Sequence, residues 1–310
     1  MRLLLLGCSG FVGRALVPYL LELGHQITLV SRRNNPLPGL TPDRCTRLRL
    51  DPADPASWQR QELRQALAAA EGVVNLVGEP IAEKRWTAEH RQLLLDSRLR
   101  CTESLVAALA ALPAPRVLVQ ASAIGYYGSS HEARFAEDSP SGDDFLAEIC
   151  RRWEQAASAV PADCRLVTLR IGIVLGPDGG ALGKMLPVFR LGFGGPVGTG
   201  QQWMSWIHRH DLVRLIATAL EDPAYSGVYN AVAPEPTRMA DFAAALGRSL
   251  GRPSLLPVPA PVLQLLLGDG ASVVLEGQQV LPTHLQAQGF RYQYPELNAA
   301  LAAATSPGLR

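Results

Sequence analysis

The feature that most constrains this chain is a set of three glycines at intervals of three, Gly7-Cys8-Ser9-Gly10-Phe11-Val12-Gly13. It comes directly after an apolar run, Leu3-Leu4-Leu5-Leu6. Apolar residues on consecutive positions suit a strand buried on both faces of a sheet. Beyond the glycines, residues 11–23 carry Val12, Ala15, Leu16, Tyr19, Leu20 and Leu23 at helical spacing, and Gly24 follows as a stop. A strand that turns through glycine into a helix is the opening unit of a parallel α/β sheet. The alternation continues, with strands predicted at 2–6, 26–30, 46–50, 72–76, 116–120 and 165–171, and helices at 93–109 and 144–159. The predicted fold class is therefore α/β: a doubly wound parallel sheet of Rossmann type with a smaller C-terminal α-rich lobe.

After about Gly176 the pattern breaks. Residues 176–200 are rich in Gly and Pro and read as a long loop with a short helix. Residues 206–220 read as a core helix with its lead-in, and 228–232 as a late strand. Helices are expected near 239–250, 260–267 and 271–280. The expected organisation is a domain over 1–232, with a flap at 176–205, and a cap lobe over 233–310. The lobe would lie across the carboxyl ends of the strands, where such folds bind ligands.

Composition bounds the function. Charged residues are 18% of 310 and the net charge is +1, so nothing favours nucleic acid. Five cysteines with no paired spacing suggest a reduced protein with no structural zinc, and no metal site is expected. The four-leucine run is too short for a signal peptide, and no stretch approaches the roughly 18–20 apolar residues that span a bilayer. The expectations are a cytoplasmic location, no membrane partner, an unidentified small-molecule substrate, and a monomer or homodimer.

In its strand–turn–helix setting, the glycine loop has the geometry that cradles a dinucleotide. Gly7 permits the turn, Gly10 lets the backbone approach a pyrophosphate, and Gly13 lets helix and strand pack closely. Ser9, Phe11 and Val12 complete the loop. An NAD site would want an acid about 20 residues further on to hold the ribose 2′-hydroxyl. Here the second strand ends Val30-Ser31-Arg32-Arg33 and the next acid is Asp43. Ser31, Arg32 and Arg33 suit a 2′-phosphate instead, so the expected cofactor is NADP(H). Asp51 can meet the adenine amino group or cap a helix at 52–57.

Further motifs carry a resemblance. They are Asn75-Leu76-Val77-Gly78-Glu79-Pro80-Ile81, Ser97-Arg98, Ser122-Ala123-Ile124-Gly125-Tyr126-Tyr127-Gly128, Trp153-Glu154, Arg170-Ile171-Gly172-Ile173-Val174-Leu175-Gly176 and Glu276-Gly277-Gln278-Gln279. With the glycine loop, they resemble the extended short-chain dehydrogenase/reductases, and within them an atypical NADP-binding branch, the "epimerase family protein" group, which has its own C-terminal domain. The resemblance implies that Leu76, Val77, Gly78, Arg98 and the backbone of Val174 line the cofactor.

It also exposes a loss. Members of that superfamily use a Ser/Thr, a Tyr and a Lys, the last two spaced Tyr-x-x-x-Lys, with a Glu four residues later. Trp153-Glu154 sets the register, which puts Cys150 at the Lys position, Leu146 at the Tyr position and Ala123 at the Ser/Thr position. Alcohol oxidation by the usual route is not expected. Ser122 and Tyr126, with Tyr127 beside it, are the candidates for a substitute proton donor, and Cys150 reads better as a small core residue than as a nucleophile. Three functions stay open: an NADP(H)-dependent oxidoreductase or epimerase-like enzyme acting on a carbonyl or nucleotide-sugar substrate, a non-catalytic NADP(H)-binding redox sensor or scaffold, and a sugar-nucleotide binder that uses the dinucleotide only structurally. Trp203 and Trp206 are read as interlobe core or as stacking platforms, and Asp211, after His208 and His210, as a helix cap.

Overall fold

The computed structural model describes residues 1–34, 37, 43–112 and 115–306. The last four residues of the expected C-terminal lobe lie outside them. Seven strands make one parallel sheet: β1 (Arg2–Leu6), β2 (Gln26–Ser31), β3 (Cys45–Arg49), β4 (Gly72–Asn75), β5 (Val117–Ala123), β6 (Arg165–Ile171) and β7 (Gly227–Ala231). Their order is β3-β2-β1-β4-β5-β6-β7. The order reverses between β1 and β4, which opens a crevice above the carboxyl ends of those two strands.

The leucines of β1 explain the two layers. Leu3 and Leu5 pack with Leu16 and Leu20 of α1 (Gly13–Glu22) on one face of the sheet. Leu4 and Leu6 pack on the other face, with Leu63 and Leu67 of α2 (Gln61–Ala69) and Leu105 and Leu109 of α3 (Ala88–Ala111). All four are essentially inaccessible, and each contributes roughly 1.5–3 kcal/mol by its burial. Behind α3 lies α4 (Phe145–Ala157), started by Asp144, whose carboxylate accepts from Ala147 N at 2.8 Å. α2 was not anticipated, and α3 starts at Ala88 because the Thr87 hydroxyl accepts from His90 N there.

Beyond β6 the chain builds a second core. The flap contains an eleven-residue helix, α5 (Gly180–Arg190). The expected lead-in at 206 is a short strand, Trp206–His208, parallel to Ile173–Leu175, and it feeds α6 (Arg209–Glu221) on the α1 face. The tail holds α7 (Met239–Leu250), α8 (Ala260–Leu267), α9 (Ser272–Leu275), α10 (Thr283–Ala287) and α11 (Leu297–Thr305). Leu182, Leu186 and Phe189 of α5 join Trp206, Phe242 and Leu246, and Leu301 of α11, in one cluster. Flap and tail therefore share a core.

The helix expected at 271–280 is corrected to the four residues of α9, followed by a strand at Gln279–Val280. Tertiary bonds overrule the local pattern there: Ser205 Oγ donates to Gln278 O and accepts from Val280 N, both at 2.9 Å. Gly277 lies so close to Trp203 that a methyl group on it would come within 2.0 Å of the Trp203 carbonyl oxygen.

Candidate functional site

The glycine loop crosses the crevice between β1 and β4. Gly7 has φ +72°, and a methyl group there would stand 2.5 Å from the backbone of Leu76 and Val77. On Gly13 it would stand 2.0 Å from Cys8 O. The molecule's own packing explains both glycines. Gly10 is different: it is exposed, and a methyl group on it would meet only Gly7 O, at 4.0 Å. Nothing in the protein requires glycine there, so the free space is what an incoming ligand would use. The start of α1 has no side-chain cap and no acid in its first turn, whereas Thr87, Asp144 and His208 cap α3, α4 and α6. An uncapped helix start above open space suits phosphate oxygens.

At the end of β2, Ser31 is buried and its hydroxyl accepts from Arg33 N at 3.2 Å. Arg32 and Arg33 are exposed and form no ion pair among the described residues. Asp51 follows β3, and its carboxylate accepts from Ala53 N at 3.0 Å. It does not cap a helix at 52–57. The helix there is a 3-10 turn, Pro55–Gln59, and Asp54 caps it.

Opposite the loop, Leu76 and Val77 are half-buried, and Val77 N donates to Asn75 Oδ1 at 3.2 Å. Gly78 rests on Arg98: a methyl group would lie 3.0 Å from Cζ. Arg98 donates to Leu94 O at 2.9 Å and Glu79 O at 3.1 Å, and lies over Trp153 with Cζ 5.2 Å from the ring centroid. Among the described residues it has no carboxylate within ion-pair distance. Burial lowers its pKa, while the nearby Cys150 thiol and Glu79 act the other way. Val174 sits in the short strand beyond β6, and its carbonyl faces Gly180.

The flap is held to the loop. The Phe11 ring lies against Gly176, Gly179 and Gly180, where a methyl group would come within 2.9, 2.7 and 2.9 Å of it. Arg209 covers that ring at 4.8 Å and pairs with Asp178, which also receives Arg14 at 3.4 Å. On the other side, Lys184 Nζ donates to Ala82 O at 2.5 Å, and Arg85 packs against Gly268 of the tail. The mouth of the crevice thus lies between the flap, the loop after β4 and the tail.

Of the two residues that the Trp153-Glu154 register assigns to the Tyr and Lys positions, Leu146 is half-buried against Gly125, and burial of Cys150 pushes its thiol up to about 11. That thiol is protonated at neutral pH. Ser122 is buried and donates to Glu154 Oε1 at 2.6 Å. Glu154 receives Arg170 through two bonds of 2.9 Å. Arg170 donates to the Tyr127 hydroxyl at 2.9 Å, and that hydroxyl donates to Asn230 Oδ1 at 2.7 Å. Burial pushes Tyr127 up to about 12. Tyr127, read with Tyr126 as a candidate proton donor, is locked in this network. Tyr126 remains half-buried, its ring stacked on Arg170 with Cζ 3.4 Å from the centroid. Sequence reasoning missed Arg170 and Asn230 as partners. The signal was present, because a charge amid the apolar residues of a buried strand demands compensation.

Trp206 is core, fully buried in the second cluster. Trp203 lies under Arg238, 3.7 Å from Cζ to centroid, and donates to His131 O. Asp211 does not cap α6; His208 does, its Nδ1 accepting from His210 N at 3.2 Å. The fully buried Asp211 carboxylate accepts from Gln293 N at 2.6 Å and Tyr294 N at 2.9 Å. No group of side chains suited to a metal ion occurs among the described residues.

Comparison with known proteins matches this architecture. The model of the NAD dependent epimerase/dehydratase family matches residues 3–232, and a domain of unknown function, DUF1731, matches 258–304. The chain is 44% identical over 300 residues to the epimerase family protein SDR39U1 homolog, chloroplastic, of Arabidopsis thaliana, covering 96% of this chain and 84% of the relative. It is 40% identical to epimerase family protein SDR39U1 of Homo sapiens, over 97% of this chain and 98% of the relative. The crystal structure of the human epimerase family protein SDR39U1 (isoform2) with NADPH superimposes with a TM-score of 0.88 at 39% identity, covering 98% of this chain and 99% of that one. The UDP-glucose 4-epimerase of Thermus thermophilus, in complex with NAD, shares the fold, with a TM-score of 0.78 at 21% identity over 98% of both chains. The chain is therefore a member of the NAD dependent epimerase/dehydratase family.

Proposed function

We propose that this protein binds NADP(H) across the crevice between β1 and β4, and that it does not oxidise alcohols by the Tyr and Lys route of its superfamily. The observation that carries the first half is the open, uncapped start of α1 beneath an exposed Gly10. The human relative solved with NADPH supports the same reading. The main-chain N–H groups of Ser9, Gly10, Phe11 and Val12 hold the pyrophosphate. Arg32 and Arg33, free of carboxylates among the described residues, pair with the 2′-phosphate beside Ser31, and Asp51 lies towards the adenine. Leu76, Val77, Gly78 and the Val174 carbonyl line the nicotinamide half. Arg98, a half-buried cation near Cys150, supplies there the positive charge that Cys150 cannot. When bound, the dinucleotide supplies a hydride donor or acceptor; the chain's part is to hold and orient it. Leu146 cannot move a proton, and the Ser122 hydroxyl is engaged by Glu154.

A second reading, hydride transfer to a carbonyl substrate, is favoured by Tyr126, whose half-buried ring lies on Arg170 in the 3-10 turn Ile124–Tyr127 that follows β5. Its phenol is then the proton donor. Single-turnover mixing of NADPH-loaded protein with carbonyl compounds and nucleotide-sugars separates the two. Loss of cofactor absorbance that Tyr126→Phe abolishes supports the enzyme, and an unchanged cofactor supports the binding protein.

Calorimetry tests the cofactor. NADPH is expected to bind well ahead of NADH, and Arg32→Ala is expected to weaken NADPH by about 1.5–3 kcal/mol with little effect on NADH. Equal affinity of the parent chain for both nucleotides refutes the assignment.

A further inference from the structure

Eight of the ten large apolar side chains exposed among the described residues lie in two segments, 188–193 and 255–266. The two segments are neighbours in space. Gly192 rests near Pro253, Leu256 N donates to Gly194 O at 3.2 Å, and Val197 pairs with Val258. Leu191 and Phe193 at the end of the flap therefore continue into Leu255, Leu256 and then α8, where Leu265 and Leu266 stand out. Leu255 is 82% exposed, Leu265 75% and Leu191 72%. α8 reads Ala-Pro-Val-Leu-Gln-Leu-Leu-Leu, yet none of its residues is buried. A helix that is apolar almost all round belongs in a core or in a lipid phase, and a patch of this kind on a soluble surface marks an interaction site.

The charges around the patch select its occupant. Between Asp178 and Asp211, and again between Asp241 and Asp269, the chain has no acidic residue. The same stretches carry the exposed Lys184, Arg190, Arg248 and Arg252; Arg190 directly precedes Leu191, and Arg252 precedes Pro253, which lies beside Gly192. Two copies of such a face would bring cations against cations. A bilayer with anionic headgroups offers both complements at once, acyl chains for the leucines and phosphates for the arginines.

We infer that this face seats the protein on an anionic lipid surface, with α8 and the turn at 191–193 entering the boundary between headgroups and acyl chains. The attachment is peripheral, since no helix among the described residues is long and apolar enough to cross a membrane. The expectation of no membrane partner rested on the lack of a spanning segment, which a peripheral attachment does not need. The placement has a consequence for the site. α5 touches the loop after β4 through Lys184 and Ala82, and the C-terminal end of α8 meets it where Trp86 N donates to Leu267 O. The docked face therefore brings the mouth of the crevice to the lipid, where apolar ligands dissolve.

The test is co-sedimentation of the full chain with vesicles of phosphatidylcholine alone and of phosphatidylcholine with phosphatidylglycerol. Binding is expected to the second only, to fall as salt is raised, and to be lost in the double variant Leu265→Glu, Leu266→Glu. Arg190→Glu with Arg252→Glu should weaken it by about tenfold or more. Thermal unfolding of each variant, expected to match the parent because these side chains are exposed, reports that the fold is intact. Three results overturn the inference. One is a chain that stays in solution with anionic vesicles at low salt, and another is undiminished binding by the double glutamate variant. The third is a dimer, seen by analytical ultracentrifugation, which that variant dissociates. NADPH calorimetry runs independently of the vesicles, so the cofactor reading and this one fail separately.

Discussion

At the scale of single residues, Arg98 is the most informative side chain in the crevice. It is a desolvated guanidinium held by two backbone carbonyls, with no carboxylate in ion-pair range among the described residues. Such a cation is expensive unless something negative completes its surroundings. The Arg98→Ala variant is expected to lose at least about tenfold in NADPH affinity, ~1.4 kcal/mol. Adding Cys150→Lys, which returns a cation to the same corner from α4, should recover part of the loss. Fluorescence titration checks both, and an Arg98→Ala protein that binds like its parent removes the arginine from the site. The glycines were legible in sequence because each one reports a backbone constraint, and Gly7 and Gly13 meet theirs at contact distances. Asp211 was misread because a short acidic residue before a helix looks the same whether it bonds its own helix or a segment 82 residues away.

At the scale of elements, that contact ties α6 of the sheet domain to the extended segment before α11. Two main-chain N–H groups converge on one inaccessible carboxylate, with Arg214 at 3.6 Å as its counter-ion. Asp211→Ala leaves both donors unpaired and takes the counter-ion from Arg214, and should cost about 3 kcal/mol. The loss should appear as a lowered midpoint of thermal unfolding. A variant as stable as the parent would show that the tail is docked by its apolar core alone. The central strands were readable because β1 and β4 to β6 carry apolar residues on successive positions, and five of the six early predictions match to within one residue at each end. The exception, β5, extends to Ala123, three residues beyond its predicted end. The tail was less readable, for its order comes from contacts with the flap rather than from local periodicity. We propose the boundary near 232 as a working division of the chain, with the flap belonging by its packing to the tail's core.

At the scale of the molecule, acid should loosen the fold. Burial, with help from Arg209 and His210, lowers His208 to about 4 from 6.5. His25 and His210 are lowered as well, again chiefly by burial. A histidine of this kind takes up its proton more readily once unfolded. Its contribution is therefore complete above pH 6.5 and is withdrawn as pH falls through 4, by about 3 kcal/mol for His208 alone. Denaturant midpoints measured at pH 7.5 and 5 should differ accordingly, and the His208→Asn variant, which retains an acceptor for His210 N, should narrow the gap. A midpoint independent of pH would contradict the argument. The seat of Phe11 among Gly176, Gly179 and Gly180 carries a consequence of another kind. An aromatic ring and three missing side chains, more than 160 positions apart, are two halves of one fitting, so neither half can be altered by mutation alone. Among descendants of this gene, a larger residue at 179 should arrive only with a smaller one at 11. A functional descendant with bulk at both would break that rule of inheritance.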